Sequence, residues 1–397
     1  MSPRVVVVGA SMAGLRAAEA VRKGGWTGEV VVVGDEAAMP YNRPPLSKDA
    51  LKTATELEAL VFRVPRAATD VTWRLGEPAT AADLTARTVR IGDETLRWDG
   101  LVVATGLRPR RLDLPGPLAG RHVIRTHEDA VLLRAGLGPG ARVVIVGAGF
   151  IGCEVAATAR HLGAEVDVVA PEVVPIERPL GPVLGAELRR RHEAEGVRFH
   201  LGTVPVGFGG DDRLTSVRLA DGTELPADLV VEAVGCVPNV EWLDGNGLDL
   251  RDGVLCDGWL RVEGRPDVVA CGDVARFPNT LFDAVPRRVE HWTMATDTAK
   301  RAGASLAAHL AGGDAGPAEF APMPSFWSDQ YDLRIQSFGA VGLGGDDVRV
   351  LEGDLGGEVV VGYHDPAGRL VGVVMVGLAG RAGHYRTAIA TPPVAVG

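Results

Sequence analysis

Two glycine-bracketed turns hold the first residues whose types and spacing could do chemistry. One carries Gly9, Ser11 and Gly14 in RVVVVGASMAGLRAAEAV (4–21). The other carries Gly147, Gly149 and Gly152 in RVVIVGAGFIGCEVAATA (142–159). Each follows a β-branched apolar run and opens an alanine-rich stretch of helical character. Such a turn brings a dinucleotide pyrophosphate to a helix N-terminus, where free N–H groups and the helix dipole favour negative charge. Gly9 and Gly147 suit the tight turn, and Gly14 and Gly152 let helix and strand pack closely. Ser11 stands where the first copy would have its middle glycine; it is small, and its hydroxyl could donate to a phosphate. Gly149 and Ile151 belong to the second turn. One such turn is weak evidence. Two, each in strand–turn–helix context, imply two dinucleotides, and two dinucleotides in one chain suggest FAD with NAD(P)H.

The acids that close each unit differ. A second apolar run follows each turn, GEVVVVGDE (28–36) and AEVDVVAPE (164–172). Asp35 and Glu36 end the first, where a carboxylate accepts from ribose hydroxyls. In the second the matching position is Ala170, with Glu172 two residues on. No arginine stands close by in sequence to mark a 2′-phosphate site. NADH is preferred, with NADPH possible.

These turns must be carried by a large frame. The chain has 397 residues, enough for two to three domains, with 46% hydrophobic and 23% charged residues, as in a soluble globular protein. The net charge of −10 argues against a nucleic-acid partner. The four cysteines, Cys153, Cys236, Cys256 and Cys271, form no CxxC pair, so neither a zinc site nor a thioredoxin-like redox pair is suggested. Scattered thiols fit a reducing cytosol. The N-terminal apolar run reads as a strand entering a turn rather than a signal peptide, and LVGVVMVGLAG (370–380) is too short to span a bilayer, so no membrane segment is expected. LRPRRLDLPGPLAGR and GCVPNVEW read as crossings on either side of the second unit. AAHLAGGDAGPAEFAPMP reads as a linker to a last domain. There RIQSFGAV, GEVVVGYH and LVGVVMVGL predict antiparallel strands before a helix around 377–390.

The stretches VVVVGASMAG, GDEAAMPYNRPPLSK, VVATGLRPR, VIVGAGFIGCEVAATA, VGCVPN, ACGDVARF, EHW and FWSDQY run in order along nearly the whole chain. Together they resemble the FAD-dependent ferredoxin reductases that serve bacterial cytochrome P-450 and Rieske oxygenase systems. The resemblance implies an α/β fold with two Rossmann-like dinucleotide-binding domains of the glutathione-reductase-like kind, plus an α+β C-terminal domain. It implies an FAD domain split over 1–112 and 241–316, an NAD(P) domain over 113–240 and a C-terminal domain over 317–397.

The same resemblance assigns roles. Lys48, one of only four lysines in the chain, would sit beside the flavin ring, on an approach stiffened by Pro44 and Pro45. A cation there would stabilise electron density arriving with hydride. Arg43 would contact FAD phosphate or order the turn. Glu154, read as lying in the first turn of its helix, would face the nicotinamide and pair with Lys48. Arg125 would reach the FAD. Asp273 would accept from the ribityl chain while a helix N-terminus just after it covers the pyrophosphate or flavin edge. Ala13 and Ala79 would give backbone contacts to FAD, and Ala104, Thr105 and Gly106 would mark the strand end passing the adenine side. Trp292 and Trp327 are the aromatic candidates beside the ring. Gly235 would let the nicotinamide slide toward the flavin. No metal site is expected.

The activity implied is hydride transfer from NADH to FAD, then release of electrons one at a time to a small acidic [2Fe–2S] or similar ferredoxin. Residues 1–150 contain no cysteine, which sets aside the disulfide reductases of this fold. The alternatives are an NADH oxidase or quinone reductase, and an NADH-sensing interaction protein of the apoptosis-inducing-factor kind. An acidic ferredoxin would need a basic docking patch, for which Arg287, Arg288, Lys300 and Arg301 are the candidates.

Overall fold

The structure, a computed structural model, describes residues 2–345 and 347–391. The chain divides into two compact units, each assembled from separate stretches. The first holds residues 1–42, 60–108 and 237–324; the second holds 43–59, 109–236 and 325–397. Residues 43–59, expected with the first nucleotide-binding region, pack with the second unit.

The first unit is built on a six-stranded sheet in the order Arg261–Val262, Arg265–Ala270, Gly100–Val103, Arg4–Val8, Glu29–Gly34 and Thr72–Leu75. From Arg265–Ala270 onward each neighbouring pair is parallel. Val5, Val6, Val7, Val30, Val32, Leu101 and Val102 are almost wholly buried. Their unbroken apolar runs follow from the parallel ladder, which covers both faces. Helices Met12–Lys23 and Trp292–Leu310 belong to the same unit. A three-stranded antiparallel sheet, Ala79–Asp83, Thr88–Ile91 and Glu94–Arg97, is appended.

The second unit repeats the device. Its five parallel strands run Val197–Leu201, Glu165–Ala170, Arg142–Val146, Leu229–Glu232 and Arg121–His122. Helix Phe150–His161 follows the Gly147 turn. The same unit contains a five-stranded antiparallel sheet in the order Ser325–Gln330, Leu333–Gly339, Leu370–Val376, Val359–His364 and Asp347–Gly353. Helix Ala382–Ala390 comes after it, as the apolar runs predict. No helix among the described residues is long and apolar enough to cross a membrane.

Candidate active site

The first cradle lies at the carboxyl end of Arg4–Val8. Gly9 has φ +118, and a Cβ there would fall 2.1 Å from the carbonyl oxygen of Ala104. A Cβ on Gly14 would fall 1.9 Å from the oxygen of Gly9. Only glycine lets the turn pass under the next strand and the helix close onto it. Ser11 takes the N-cap position of Met12–Lys23, and Ala13 lies in its first turn. Gly272, beside Asp273, approaches Ala13 closely enough that an added Cβ would lie 2.9 Å away. The backbone groups at this helix start fit a pyrophosphate.

The other first-unit candidates surround that turn in sequence order. Strand Glu29–Gly34 ends one residue before Asp35, which is exposed, and Glu36 accepts from the Tyr41 hydroxyl at 2.6 Å. Ala104 donates its N–H to Val8. Thr105 Oγ1 donates to the carbonyl of Asn239 at 2.6 Å, and Asn239 Nδ2 donates back to the carbonyl of Thr105 at 2.9 Å. Gly106, at φ +60, accepts from the N–H of Asn239. Asn239, the last residue of VGCVPN, is therefore the lock on the Ala104–Gly106 segment, a role that its residue type and position alone do not mark. Ala79 opens a strand at a β-bulge between Ala79 and Ala81. Trp292 opens the long helix, 37% exposed, and donates from Nε1 to Asn42 Oδ1. Asp273 departs from expectation. It sits inside the three-residue 3-10 turn Gly272–Val274, followed by strand Ala275–Asn279 and not by a helix.

The second cradle repeats the geometry of the first. Gly147 has φ +106, with an added Cβ 2.3 Å from the oxygen of Ala233; one on Gly152 would fall 2.1 Å from the oxygen of Gly147. Gly149, the N-cap of Phe150–His161, has nothing within 4 Å of its would-be Cβ. The fold itself thus requires Gly147 and Gly152, while Gly149 keeps open space for a ligand. Gly235 is likewise open, at φ +89, and its carbonyl accepts from the N–H of Arg110. Ile151 is 40% exposed on the first helical turn. Glu172 lies two residues past strand Glu165–Ala170, and the Arg178 guanidinium stands 3.8 Å from its carboxylate. A cation therefore approaches this acid, from the start of the helix Glu177–Ala194 that follows it in the chain.

Lys48 and Glu154 meet in the second unit. Lys48 Nζ donates to Glu154 Oε2 at 2.7 Å and to the carbonyl of Pro44 at 3.1 Å. Ser47 Oγ donates to the same carboxylate oxygen, and Ser328 Oγ to Oε1, each at 2.6 Å. The Pro44–Ser47 turn, with proline at its first positions, delivers Ser47 and Lys48 side by side. Helix Phe150–His161 begins two residues before Gly152, so Glu154 lies past the first turn, 4% exposed, and is not an acid at the helix start. Arg43 donates to the carbonyl of Arg125 at 2.8 Å, and Arg125 leads into a capping box formed by Thr126 and Asp129. Trp327 and Ser328 are neighbours on one strand and point to opposite faces. The serine is therefore buried toward Glu154, and the half-buried indole faces away from it.

Cys153, Cys256 and Cys271 are free, buried thiols. Burial raises the pKa of the Cys153 and Cys256 thiols strongly, and that of Cys271 to about 12, so these three are poor nucleophiles. Of the docking candidates, Arg287 pairs with Asp283, and Arg288 pairs with both Asp252 and Glu290. Arg301 donates to the carbonyl of Ala318, while Lys300 lies 3.9 Å from Asp297 with its side chain 64% exposed.

Comparison with known proteins fits this architecture. Residues 3–299 match the pyridine nucleotide-disulphide oxidoreductase family and residues 325–393 the reductase C-terminal family. The chain is 36% identical to the probable ferredoxin reductase CtmF of Castellaniella defragrans, over 94% of this chain and 90% of that protein. It is 37% identical to the ferredoxin–NAD(+) reductase component of the anthranilate 1,2-dioxygenase system of Burkholderia cepacia, over 97% and 93% of the two chains. The reductase in the covalent putidaredoxin reductase–putidaredoxin complex superposes with a TM-score of 0.89 at 32% identity, covering 98% of this chain and 93% of that one. The chain belongs to the ferredoxin–NAD(P)+ reductase family of cytochrome P-450 and Rieske dioxygenase systems.

Proposed function

We propose that the chain takes hydride from NADH and passes single electrons to a small acidic ferredoxin that feeds an oxygenase. The observation that carries this reading is the pair of matching glycine cradles, one in each unit, together with the buried Lys48–Glu154 pair in the second. FAD, when bound, supplies the conversion of a two-electron hydride into one-electron steps. The backbone around Gly9, Ser11 and Ala13 would hold its pyrophosphate, with Asp35 or Glu36 on the ribose and Ala104 to Gly106 beside the adenine end. Ala79, Arg43, Arg125, Asp273, Trp292 and Trp327 would complete the flavin contacts. Gly147, Gly149, Ile151, Gly152, Glu172 and Gly235 would bind NADH. Lys48 would hold positive charge at the place where electron density arrives, with Glu154 fixing its ammonium. Glu172 would accept from the ribose hydroxyls of NADH, the preferred cofactor, while Arg178, 3.8 Å from it, keeps NADPH possible.

Three high-pKa buried thiols and a cysteine-free first 150 residues speak against disulfide chemistry. The free thiols of Cys153, Cys256 and Cys271 also fit a reducing cytosol as the working compartment. The test is an anaerobic titration with NADH followed by cytochrome c reduction with and without an added [2Fe–2S] ferredoxin. Bleaching of a flavin band, and cytochrome reduction only when ferredoxin is present, are expected. A colourless preparation that takes up no flavin, or equal turnover without ferredoxin, overturns the reading.

A further inference from the structure

A buried file of polar side chains leads away from Glu154 through the second unit. Ser328 Oγ donates to Glu154 Oε1 at 2.6 Å, and Gln330 Nε2 donates to Ser328 Oγ at 3.0 Å. His192 Nε2 stands 2.8 Å from Gln330 Oε1, and the Tyr331 hydroxyl 3.2 Å from His192 Nδ1. Ser328, Gln330 and His192 are 1%, 0% and 1% exposed. Tyr331 brings the file to a surface cleft that it lines with Lys52, His161, Glu195 and Asp332.

One direction of donation satisfies every member. A carboxylate only accepts, so the Ser328 hydroxyl gives its proton to Glu154 and accepts from the Gln330 amide. The Gln330 oxygen then takes the His192 Nε2–H, and the bare Nδ1 takes the Tyr331 hydroxyl. Burial keeps His192 and Tyr331 in the required state. It lowers the pKa of His192, against a smaller opposing effect of the Gln330 bond, and it raises the pKa of the Tyr331 phenol. The His192 ring is also held edge-on between Tyr331 and Phe199, with centroids 5.0 and 6.0 Å away. Tyr331 itself adopts φ +56 in the two-residue turn between Gln330 and Leu333, a sparsely populated conformation for a residue with a Cβ. An amide does not hand on a proton as a hydroxyl does, so Gln330 interrupts any proton wire. The file acts through its polarity.

We propose that Ser328, Gln330 and His192 are positioning residues: their one-way donation pins Oε1 of Glu154 and leaves Oε2 to Ser47 and Lys48, thereby setting where the Lys48 ammonium sits. This rests on the proposed role of that ion pair in hydride transfer. The file itself is tested without turnover, on uniformly ¹⁵N-histidine-labelled full-length protein, with the His192 signal assigned by its loss in His192→Gln. A neutral ring protonated at Nε2 and bare at Nδ1 is expected from about pH 6 to about pH 8. A neutral ring protonated at Nδ1 would break the one-way donation at Nε2, and a charged ring would remove the acceptor for Tyr331; either result overturns the proposal.

The coupling is tested by stopped-flow reduction with NADH. Ser328→Val should slow the limiting rate about tenfold while leaving the apparent Kd for NADH within about twofold. Ser328→Thr, the same shape with the hydroxyl restored, should recover most of the rate. Gln330→Met should slow it about threefold, and the double variant should be no slower than Ser328→Val alone. Valine and threonine behaving alike, or the two losses multiplying, sinks the coupling. A preparation with no NADH turnover at all would instead defeat the proposed function and leave the tautomer measurement standing.

Discussion

At the scale of single residues, the Lys48–Glu154 pair decides most. Both side chains are largely out of water, at 11% and 5% exposure, so each charge is tolerable only with its partner. Removing one member leaves the other desolvated, at a cost of about 3–5 kcal/mol. Lys48→Met should therefore lower unfolding stability in urea by about 3 kcal/mol or more, and Lys48→Met with Glu154→Gln should recover over about half of that loss. Losses that simply add would mean that the pair is not coupled. Lys48 was legible because a lone lysine in a proline-stiffened loop is unusual in an arginine-rich chain. The rest of its setting was not. Ser328 lies 174 positions from Glu154, and a serine carries no sequence mark of the carboxylate it will meet. Gln330 and His192, 138 positions apart, join only because a β-hairpin and a helix from distant parts of the chain share one unit.

At the scale of elements, the two β-α-β units were legible because a strand run, a glycine turn and a helix run each leave a local periodic trace. What each glycine is for needed coordinates. Gly147→Ala would drive a Cβ into the Ala233 carbonyl at an unfavourable φ, whereas Gly149→Ala would meet open space at φ −76. Calorimetry should show a lowered Tm for Gly147→Ala and an unchanged Tm for Gly149→Ala, with NADH affinity weakened about tenfold or more in the latter. Unchanged affinity would remove Gly149 from the nucleotide site. The helix Trp292–Leu310 carries a second prediction. His291 occupies its N-cap, and burial pushes the imidazole pKa down to about 4. In the unfolded chain an ordinary histidine takes up its proton near pH 6.5, so between about pH 6.5 and about pH 4 the unfolded state binds more protons and stability falls with pH. The loss from this one residue reaches about 3 kcal/mol at the acid end. Urea midpoints followed across that window should fall less steeply in His291→Asn, and an unaltered slope would show that His291 is not held neutral.

At the scale of the whole molecule, charge is the property that composition misleads about. The net charge of −10 would repel an acidic ferredoxin at long range, so docking of the proposed partner would have to rest on a local surplus of cations. Four basic residues near EHW supplied that surplus on paper. Pairing is invisible in a linear sequence, and the fold cancels much of it. Arg288, its side chain only 12% exposed, is committed to Asp252 and Glu290, and Arg287 to Asp283. Lys300 keeps an exposed head group and only a long pairing with Asp297. The two kinds of cation therefore predict different phenotypes. Lys300→Glu should raise the ferredoxin KM about threefold or more at low ionic strength, leave the NADH KM alone, and converge on wild type as salt shortens the Debye length below about 10 Å. Arg288→Glu would set three carboxylates against one another inside the first unit, so it should lower Tm first. A ferredoxin KM for Lys300→Glu that matches wild type at every salt concentration would place the docking surface away from this helix. An Arg288→Glu protein of full stability would show that the Asp252 and Glu290 contacts are not what holds that arginine in place.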